Sequence, residues 1–190
     1  MNFYNKILSA TIILFVMTGC SKQLSYDELV SELPTISNSQ IITNSTMKYD
    51  ISLPKELKLA EKQYNDTLWF EFFLDKTIPF EEGTNIVSVL RILSKEKTPK
   101  DVWQKLLEKK LMNENYSTHS KGESSFLNYP SYYAHCSKTI SNKNRETIIF
   151  IVRGNSSDYY MINLETGTEK NYPNNMKQLL SCVKTFNILK

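Results

Sequence analysis

The most restrictive feature of this sequence is a strand-like run, Ile86 to Leu93, whose two faces are both largely apolar. Successive side chains of an extended strand point to opposite faces of its sheet. The alternate residues are Ile86, Ser88, Leu90 and Ile92 on one face, and Val87, Val89, Arg91 and Leu93 on the other. A strand with two apolar faces belongs in a sheet that is covered on both sides, so we expect a layered fold.

Other runs also have the composition of strands. The segment Tyr49 to Leu53 is closed by Pro54, and the aromatic run Leu68 to Leu74 follows it. Further candidates are Tyr116 to His119 with Ser125 to Leu127, Tyr132 to Ile140, Thr147 to Arg153 and Asp158 to Leu164. Short turns at Ser141 to Asn144 and Gly154 to Ser157 predict antiparallel neighbours.

Two segments have helical periodicity instead. Thr98 and Pro99 are suited to the start of a helix, and Asp101 lies in its first turn, where the helix dipole favours an anion. Its apolar stripe consists of Val102, Trp103, Leu106, Leu107 and Leu111. We expect Asn174 or Asn175 to cap a second helix near the end of the chain. The apolar face of that helix consists of Met176, Leu179, Leu180, Val183 and Phe186.

Strands, a helix, more strands and a closing helix together predict an α+β fold with a mainly antiparallel sheet. This order, with the segments Tyr49 to Pro54, Thr98-Pro99 and Val183 to Phe186, resembles the PsbP/DcrB-like family over residues 47–190. The resemblance implies an α/β/α sandwich. It also implies a non-enzymatic role, because such proteins are mostly extrinsic assembly or stabilising subunits, bacterial envelope lipoproteins or adaptor chaperones of secreted toxins. It transfers no catalytic residues to this sequence.

The first twenty residues have the pattern of an export signal. Lys6 precedes an apolar run of ten residues, Ile7 to Val16, which is too short to span a membrane as a helix. Met17-Thr18-Gly19-Cys20 resembles the bacterial lipobox, with Met17 where Leu, Val or Ile is usual. The resemblance implies that Cys20 is lipidated and that residues 1–19 are removed as a signal peptide. The alternative is an ordinary secretory signal followed by an incidental cysteine.

Acyl chains on Cys20 would anchor the protein, because two or more buried chains hold a protein stably at a bilayer. We expect a bacterial envelope protein whose domain lies outside the cytoplasm, on the periplasmic side of the outer membrane in a Gram-negative cell. Residues 20–46, rich in Ser, Thr and Asn, are predicted to form a polar spacer. Within it, the capping box at Ser25 to Glu28 predicts a short helix that ends before Pro34. The globular domain is predicted over 47–190.

Charge argues against nucleic acid as a partner. The chain has 23 Lys and Arg against 20 Asp and Glu. Lys6 is the one charged side chain among residues 1–19, so removal of these residues leaves a net charge of about +2. Basic residues are scattered, and Lys105, Lys109 and Lys110 fit the solvated face of a helix. The oligomeric state cannot be predicted from the sequence.

Lipidation of Cys20 would leave two of the three cysteines, Cys136 and Cys182. An even number of thiols in an exported protein permits one disulfide. Two unpaired, buried thiols that pack as small hydrophobes are an equal alternative.

Catalytic candidates are few. His119 and His135 are the only histidines, and His135 lies beside Cys136, where strand neighbours point to opposite faces and make a poor dyad. No set of His, Cys and carboxylate residues has metal-ligand spacing, so we expect no metal. Since the histidines also form no catalytic pair, we expect no catalytic residues and no cofactor.

An excess of aromatic residues is compatible with strand pairing or with a protein-binding surface. The residues concerned are Phe126, Tyr129, Tyr132, Tyr133, Tyr159, Tyr160 and Tyr172.

The sequence therefore predicts a non-enzymatic, membrane-anchored protein-binding or assembly module. An immunity or chaperone-like protein for an envelope-targeting toxin is an alternative form of this function. An envelope hydrolase is the competing class, and it would require a pocket with convergent ionisable groups, for example around His119 or His135.

Overall fold

A computed structural model describes residues 24–65, 68–79, 84–93, 100–154, 158–168 and 171–190. Cys20, the predicted signal peptide and the predicted cap Thr98-Pro99 lie outside these residues. The three described helices are α1 (Tyr26–Val30), α2 (Lys100–Asn113) and α3 (Tyr172–Lys184). The first five strands are β1 (Ser39–Asn44), β2 (Tyr49–Pro54), β3 (Leu57–Tyr64), β4 (Leu68–Asp75) and β5 (Ile86–Ile92). The others are β6 (Ser117–Ser124), β7 (Ser131–Ile140), β8 (Lys143–Arg153), β9 (Tyr159–Gly167) and β10 (Asn187–Ile188).

The strands form two sheets, and every described pairing is antiparallel. The large sheet has the order β3-β4-β5-β9-β8-β7-β6, and the small sheet has the order β1-β2-β10. A two-residue turn joins β7 to β8, and its residues Ser141 and Asn142 have φ of 50° and 62°, as the tight turns of twisted hairpins require. The predicted α+β class with a mainly antiparallel sheet is confirmed.

Helices cover both faces of the large sheet. On one face, which we call face 1, α1, α3 and the small sheet pack over a core that includes Val89, Phe150 and Leu164. On face 2, α2 packs through Trp103 and Leu107 onto a second group of buried side chains. The expectation that β5 is apolar on both faces because both are covered therefore agrees with the structure. None of the described helices is long and apolar enough to cross a membrane.

The predicted polar spacer over 20–46 is corrected for the residues that the structure describes. Helix α1 forms with its capping box as predicted, but Leu29 is fully buried in the face 1 core. Strand β1 pairs with β2 over six residues, and the Ser181 hydroxyl donates to the Pro34 carbonyl oxygen at 2.7 Å. The apolar residues of this segment are few, yet they are placed where α3 and the sheet can bury them. The folded domain thus begins well before residue 47.

Two other boundaries differ from the prediction. The sequence does not predict strand β3, because seven of its eight residues are exposed and several are charged, so it shows no apolar alternation. Helix α3 begins at Tyr172 after Asn171, with Pro173 in its first turn. The predicted caps Asn174 and Asn175 therefore lie inside the helix.

Candidate functional site

The structure brings the two histidines together around a buried carboxylate. A register shift in β6 between Thr118 and Ser120 places His119 beside β7, where its ring centroid lies 5.2 Å from that of His135. Glu146 on β8 is in direct contact with His135 Nε2, and its Oε1 lies 3.6 Å from His119 Nε2. We call His119, His135 and Glu146 the histidine cluster.

Burial controls the electrostatics of this cluster. The side chains of His135 and Glu146 are 1% and 3% exposed, whereas that of His119 is 26% exposed and lies 3.0 Å from the Ser137 hydroxyl. Burial lowers the pKa of His119, and the nearby Glu146 and His135 act on it in opposite directions. Tyr172 of α3 lies on the same side, and burial, with Glu146 adding to the effect, raises its pKa.

Imidazole and carboxylate groups are common in general acid–base catalysis, but access to this cluster is limited. Only His119 has appreciable exposure, so a substrate would meet one imidazole rather than a set of convergent groups. Cys136 lies on the opposite sheet face from His135, packs against α2, and has a pKa raised to about 12 by burial. The two neighbours thus form no nucleophile–base pair, as the sequence predicts.

No three His, Cys, Asp or Glu side chains are grouped to hold a metal ion in the ranges that the structure describes.

In the described part of the chain, face 2 carries a cleft of about 460 Å³, which we call the aromatic cleft. Trp103 of α2, Tyr132 of β7 and Arg153 at the end of β8 supply its larger side chains, and the Arg153 Cζ lies 5.9 Å from the Trp103 ring centroid. The other lining residues are Gln104, Glu123, Ser124, Ser125, Pro130 and Ser131. Trp103 is mostly buried, as a core anchor should be, and it forms part of the wall.

A second cleft of about 330 Å³ lies between α3, the segment before β1 and the ends of β2 and β4. Its polar wall includes the side chains Asn38, Glu56, Asp75, Asn85, Asn175 and Gln178. Several of these are already bonded: Asn38 donates to Glu56 at 3.2 Å, and Asp75 accepts from the Thr77 hydroxyl at 2.6 Å. This cleft is therefore in part a hydrogen-bonded junction between elements.

Most of the aromatic residues that could have formed a binding surface belong to the core. Tyr159, Tyr160 and Tyr172 are buried. Phe126, Tyr129 and Tyr133 pack against the face 1 core, and the Tyr129 hydroxyl donates to Asn187 at 2.9 Å. Tyr132 is the member of the group that lines the aromatic cleft.

The disulfide between Cys136 and Cys182, one of the two alternatives that the sequence leaves open, is not formed. Both cysteines are free and buried, Cys182 in the face 1 core and Cys136 against α2 on face 2. The sheet lies between them, so the alternative of two buried thiols describes the structure.

Comparisons with known proteins show the fold. No protein-family profile matches the sequence, and no curated protein matches it. A solved structure from Bacteroides thetaiotaomicron superposes with a TM-score of 0.55 at 9% identity, covering 81% of this chain and 50% of that one. The chain thus spans half the length of that protein.

Two smaller proteins match over nearly their whole length. The Ran-binding protein Mog1p of Saccharomyces cerevisiae gives a TM-score of 0.53 at 11% identity, covering 80% of this chain and 96% of that one. Cyanobacterial PsbP (CyanoP) from Synechocystis gives 0.54 at 11% identity, covering 91% and 99%. The chain therefore has a PsbP-like fold, and at these identities the likeness extends to the fold alone.

Proposed function

We propose that this protein is a non-enzymatic lipoprotein of the bacterial envelope, anchored through Cys20, whose domain binds a protein partner outside the cytoplasm. The observation that carries the binding part of this proposal is the aromatic cleft, which combines Trp103, Tyr132 and Arg153. Tryptophan, tyrosine and arginine are the side chains that most often dominate the energy of protein interfaces.

The anchoring part rests on the sequence of the first twenty residues. A short apolar run behind Lys6 and the tetrapeptide ending at Cys20 have the order that export and lipidation require. A domain held at the membrane by acyl chains needs no spanning helix of its own.

The chemistry of the cleft favours an amphipathic partner segment. An apolar side chain inserted against Tyr132 and Trp103 would gain from burial, and the Arg153 guanidinium can donate to a carboxylate or to backbone carbonyl oxygens. A cation–π contact with the Trp103 ring, whose centroid lies 5.9 Å from the Arg153 Cζ, would restrain Arg153 before binding and so lower the entropy that binding costs.

The fold is compatible with this role. Mog1p, which has a similar fold, is a Ran-binding protein, so this architecture can present a surface to a protein partner. The DcrB-like resemblance of the sequence points the same way. An immunity or chaperone-like protein that captures a toxin at the envelope is a special case of the proposal.

The histidine cluster is the observation that favours the competing class, an envelope hydrolase. Its exposed member is His119, so a hydrolase using this cluster would lose activity in His119→Ala. The burial of His135 and Glu146 supports a structural role instead.

A photo-cross-linking amino acid placed at Tyr132 tests the proposal in intact cells. We expect an adduct of one discrete mass, formed with a photo-cross-linker at Tyr132 and lost when Arg153→Ala is added. Met112, which is 78% exposed and lies on the same helix as Trp103, is the matched control position and should give no such adduct. Equal adducts at both positions, or none at Tyr132, would contradict a partner site in the cleft.

A further inference from the structure

The three long edge strands of the two sheets differ in how they are protected. An edge strand presents unpaired backbone N–H and C=O groups, and proteins block unwanted pairing there with charged side chains, especially lysine, and with β-bulges. Strands β3 and β6 are the edges of the large sheet, and β1 is an edge of the small sheet.

Both edges of the large sheet carry these protective features. The register of β3 shifts between Leu59 and Glu61, and this strand presents Lys58 and Lys62. The register of β6 shifts between Thr118 and Ser120, and this strand contains Lys121. Another strand would find it difficult to add to either edge.

Strand β1 has neither feature. Its register with β2 is unbroken from Ser39 to Asn44, and its sequence Ser-Gln-Ile-Ile-Thr-Asn contains no charged residue. Within the described part of the chain, its backbone pairs with β2 alone, which leaves its other edge unpaired. Ile41 on its outer face is 73% exposed, whereas the neighbouring Ile42 packs against the core.

We propose that β1 pairs with β1 of a second copy of this chain, antiparallel and about a twofold axis, to join the two small sheets into one. This inference rests on the membrane anchoring proposed above, because confinement in one leaflet raises the effective concentration of the copies. Ser39, Ile41 and Thr43 all lie on the outer face. A twofold axis beside Ile41 pairs that residue with its own copy, and pairs Ser39 with Thr43 of the second copy.

The chemistry of β1 fits a copy of itself. Two isoleucines that are each 73% exposed would cover one another, and β-branched side chains on directly opposed positions stabilise a strand pair. The absence of charge in β1 means that no repulsion opposes the pairing. Two strands of this length would bury much less surface than the roughly 1,200 Å² that stable complexes bury. The dimer therefore depends on confinement of the copies in one membrane.

Register-specific cross-linking in whole cells tests the pairing. A short homobifunctional thiol cross-linker should join Ile41→Cys to its copy, because directly opposed Cβ atoms lie about 4.5–5.5 Å apart. Thr43→Cys alone should not cross-link, since its two copies would lie about 14 Å apart along the strands. Cells that produce Ser39→Cys together with Thr43→Cys should again yield the dimer.

The native cysteines do not interfere with this experiment. Cys136 and Cys182 are buried, and each has a pKa raised to about 12 by burial, so they react slowly. Equal cross-linking of all the variants, or none of Ile41→Cys, overturns the inference. Fractionation of the same cells reports the anchor separately, so failure of the dimer and failure of the anchoring are distinguishable.

A second pair of variants measures the dimer without added cysteines. Ile41→Lys places like charges opposite each other and should abolish the dimer in sedimentation of the purified protein on nanodiscs, where the copies share one bilayer. Met112→Lys, which changes an equally exposed side chain on α2, should leave the dimer intact. A dimer that survives Ile41→Lys, or a wild-type protein that stays monomeric, contradicts pairing through β1.

Discussion

Arg91 on β5 and Asp158 before β9 form a buried ion pair, with side chains that are 8% and 12% exposed. The Arg91 Nε donates to Asp158 Oδ2 at 3.0 Å, and its Nη1 donates to the carbonyl oxygen of Thr46 at 2.9 Å. The guanidinium also lies 5.0 Å from the Trp69 ring centroid. The Arg91 side chain thus links β5, in the large sheet, to the loop that joins β1 and β2.

Removing one member of this pair should destabilise the fold strongly. Asp158→Ala leaves the buried guanidinium without its carboxylate, and we expect a loss of about 3–5 kcal/mol in the free energy of unfolding, measured by urea denaturation. The matched control is Glu108→Ala, which breaks the exposed pair between Lys121 and Glu108 and should cost less than about 1 kcal/mol. Similar losses for both variants would show that Arg91 is paired with Asp158 less firmly than the geometry indicates.

Truncation of Leu29 tests whether α1 belongs to the domain. Because Leu29 is fully buried, Leu29→Ala should lower the free energy of unfolding by about 2–5 kcal/mol. Thr35→Ala, in the same N-terminal region but exposed, should change it by less than about 0.5 kcal/mol. If Leu29→Ala were as mild as Thr35→Ala, residues 24–46 would act as the spacer that the sequence predicts.

Acid should weaken the fold through His119. The pKa of His119 is lowered below its ordinary value of 6.5, so below that pH the unfolded chain takes up a proton at this position before the folded chain does. The free energy of unfolding therefore falls as the pH drops from 6.5 to the folded-state pKa of His119. Below that pKa, the stability contributed by the neutral His119 side chain is lost. His119→Gln should flatten this slope in urea denaturation at a series of pH values. An unchanged slope would show that His119 does not cause this pH dependence of stability.

Free thiols should be detected only after unfolding. Burial raises the pKa values of Cys136 and Cys182 to about 12, so in a Cys20→Ser variant a thiol reagent should react slowly with the folded protein. Two thiols per chain should appear in denaturant without a reductant. The appearance of none would mean that a disulfide joins Cys136 to Cys182.

The parts of the fold that follow local patterns were predictable from the sequence. Strands β2, β4 and β5 have strand-like or alternating apolar residues, and the stripes of α2 and α3 recur at helical spacing. Burial of one side of a strand requires apolar residues at every second position, and burial of one side of a helix requires them at every third or fourth position. Both patterns are therefore visible among residues that are close in sequence.

Features that depend on contacts distant in sequence were not predictable. Strand β3 is recognised as a strand only through its pairing with β4, and Leu29 is a core residue only because α3 lies over it. The histidine cluster draws His119, His135 and Glu146 from three strands, and a bulge in β6 that no local signal marks brings His119 into it. Similarly, Arg153 and Trp103 are fifty residues apart in sequence and meet only when α2 packs on face 2.

The membrane anchor is the central claim, and labelling with a radioactive or clickable palmitate tests it most directly. In a bacterial host, the wild-type chain should incorporate the label and sediment with membranes, whereas Cys20→Ala should incorporate none and appear in the soluble or unprocessed fraction. Label incorporation and membrane sedimentation that persist in Cys20→Ala would contradict anchoring through this residue.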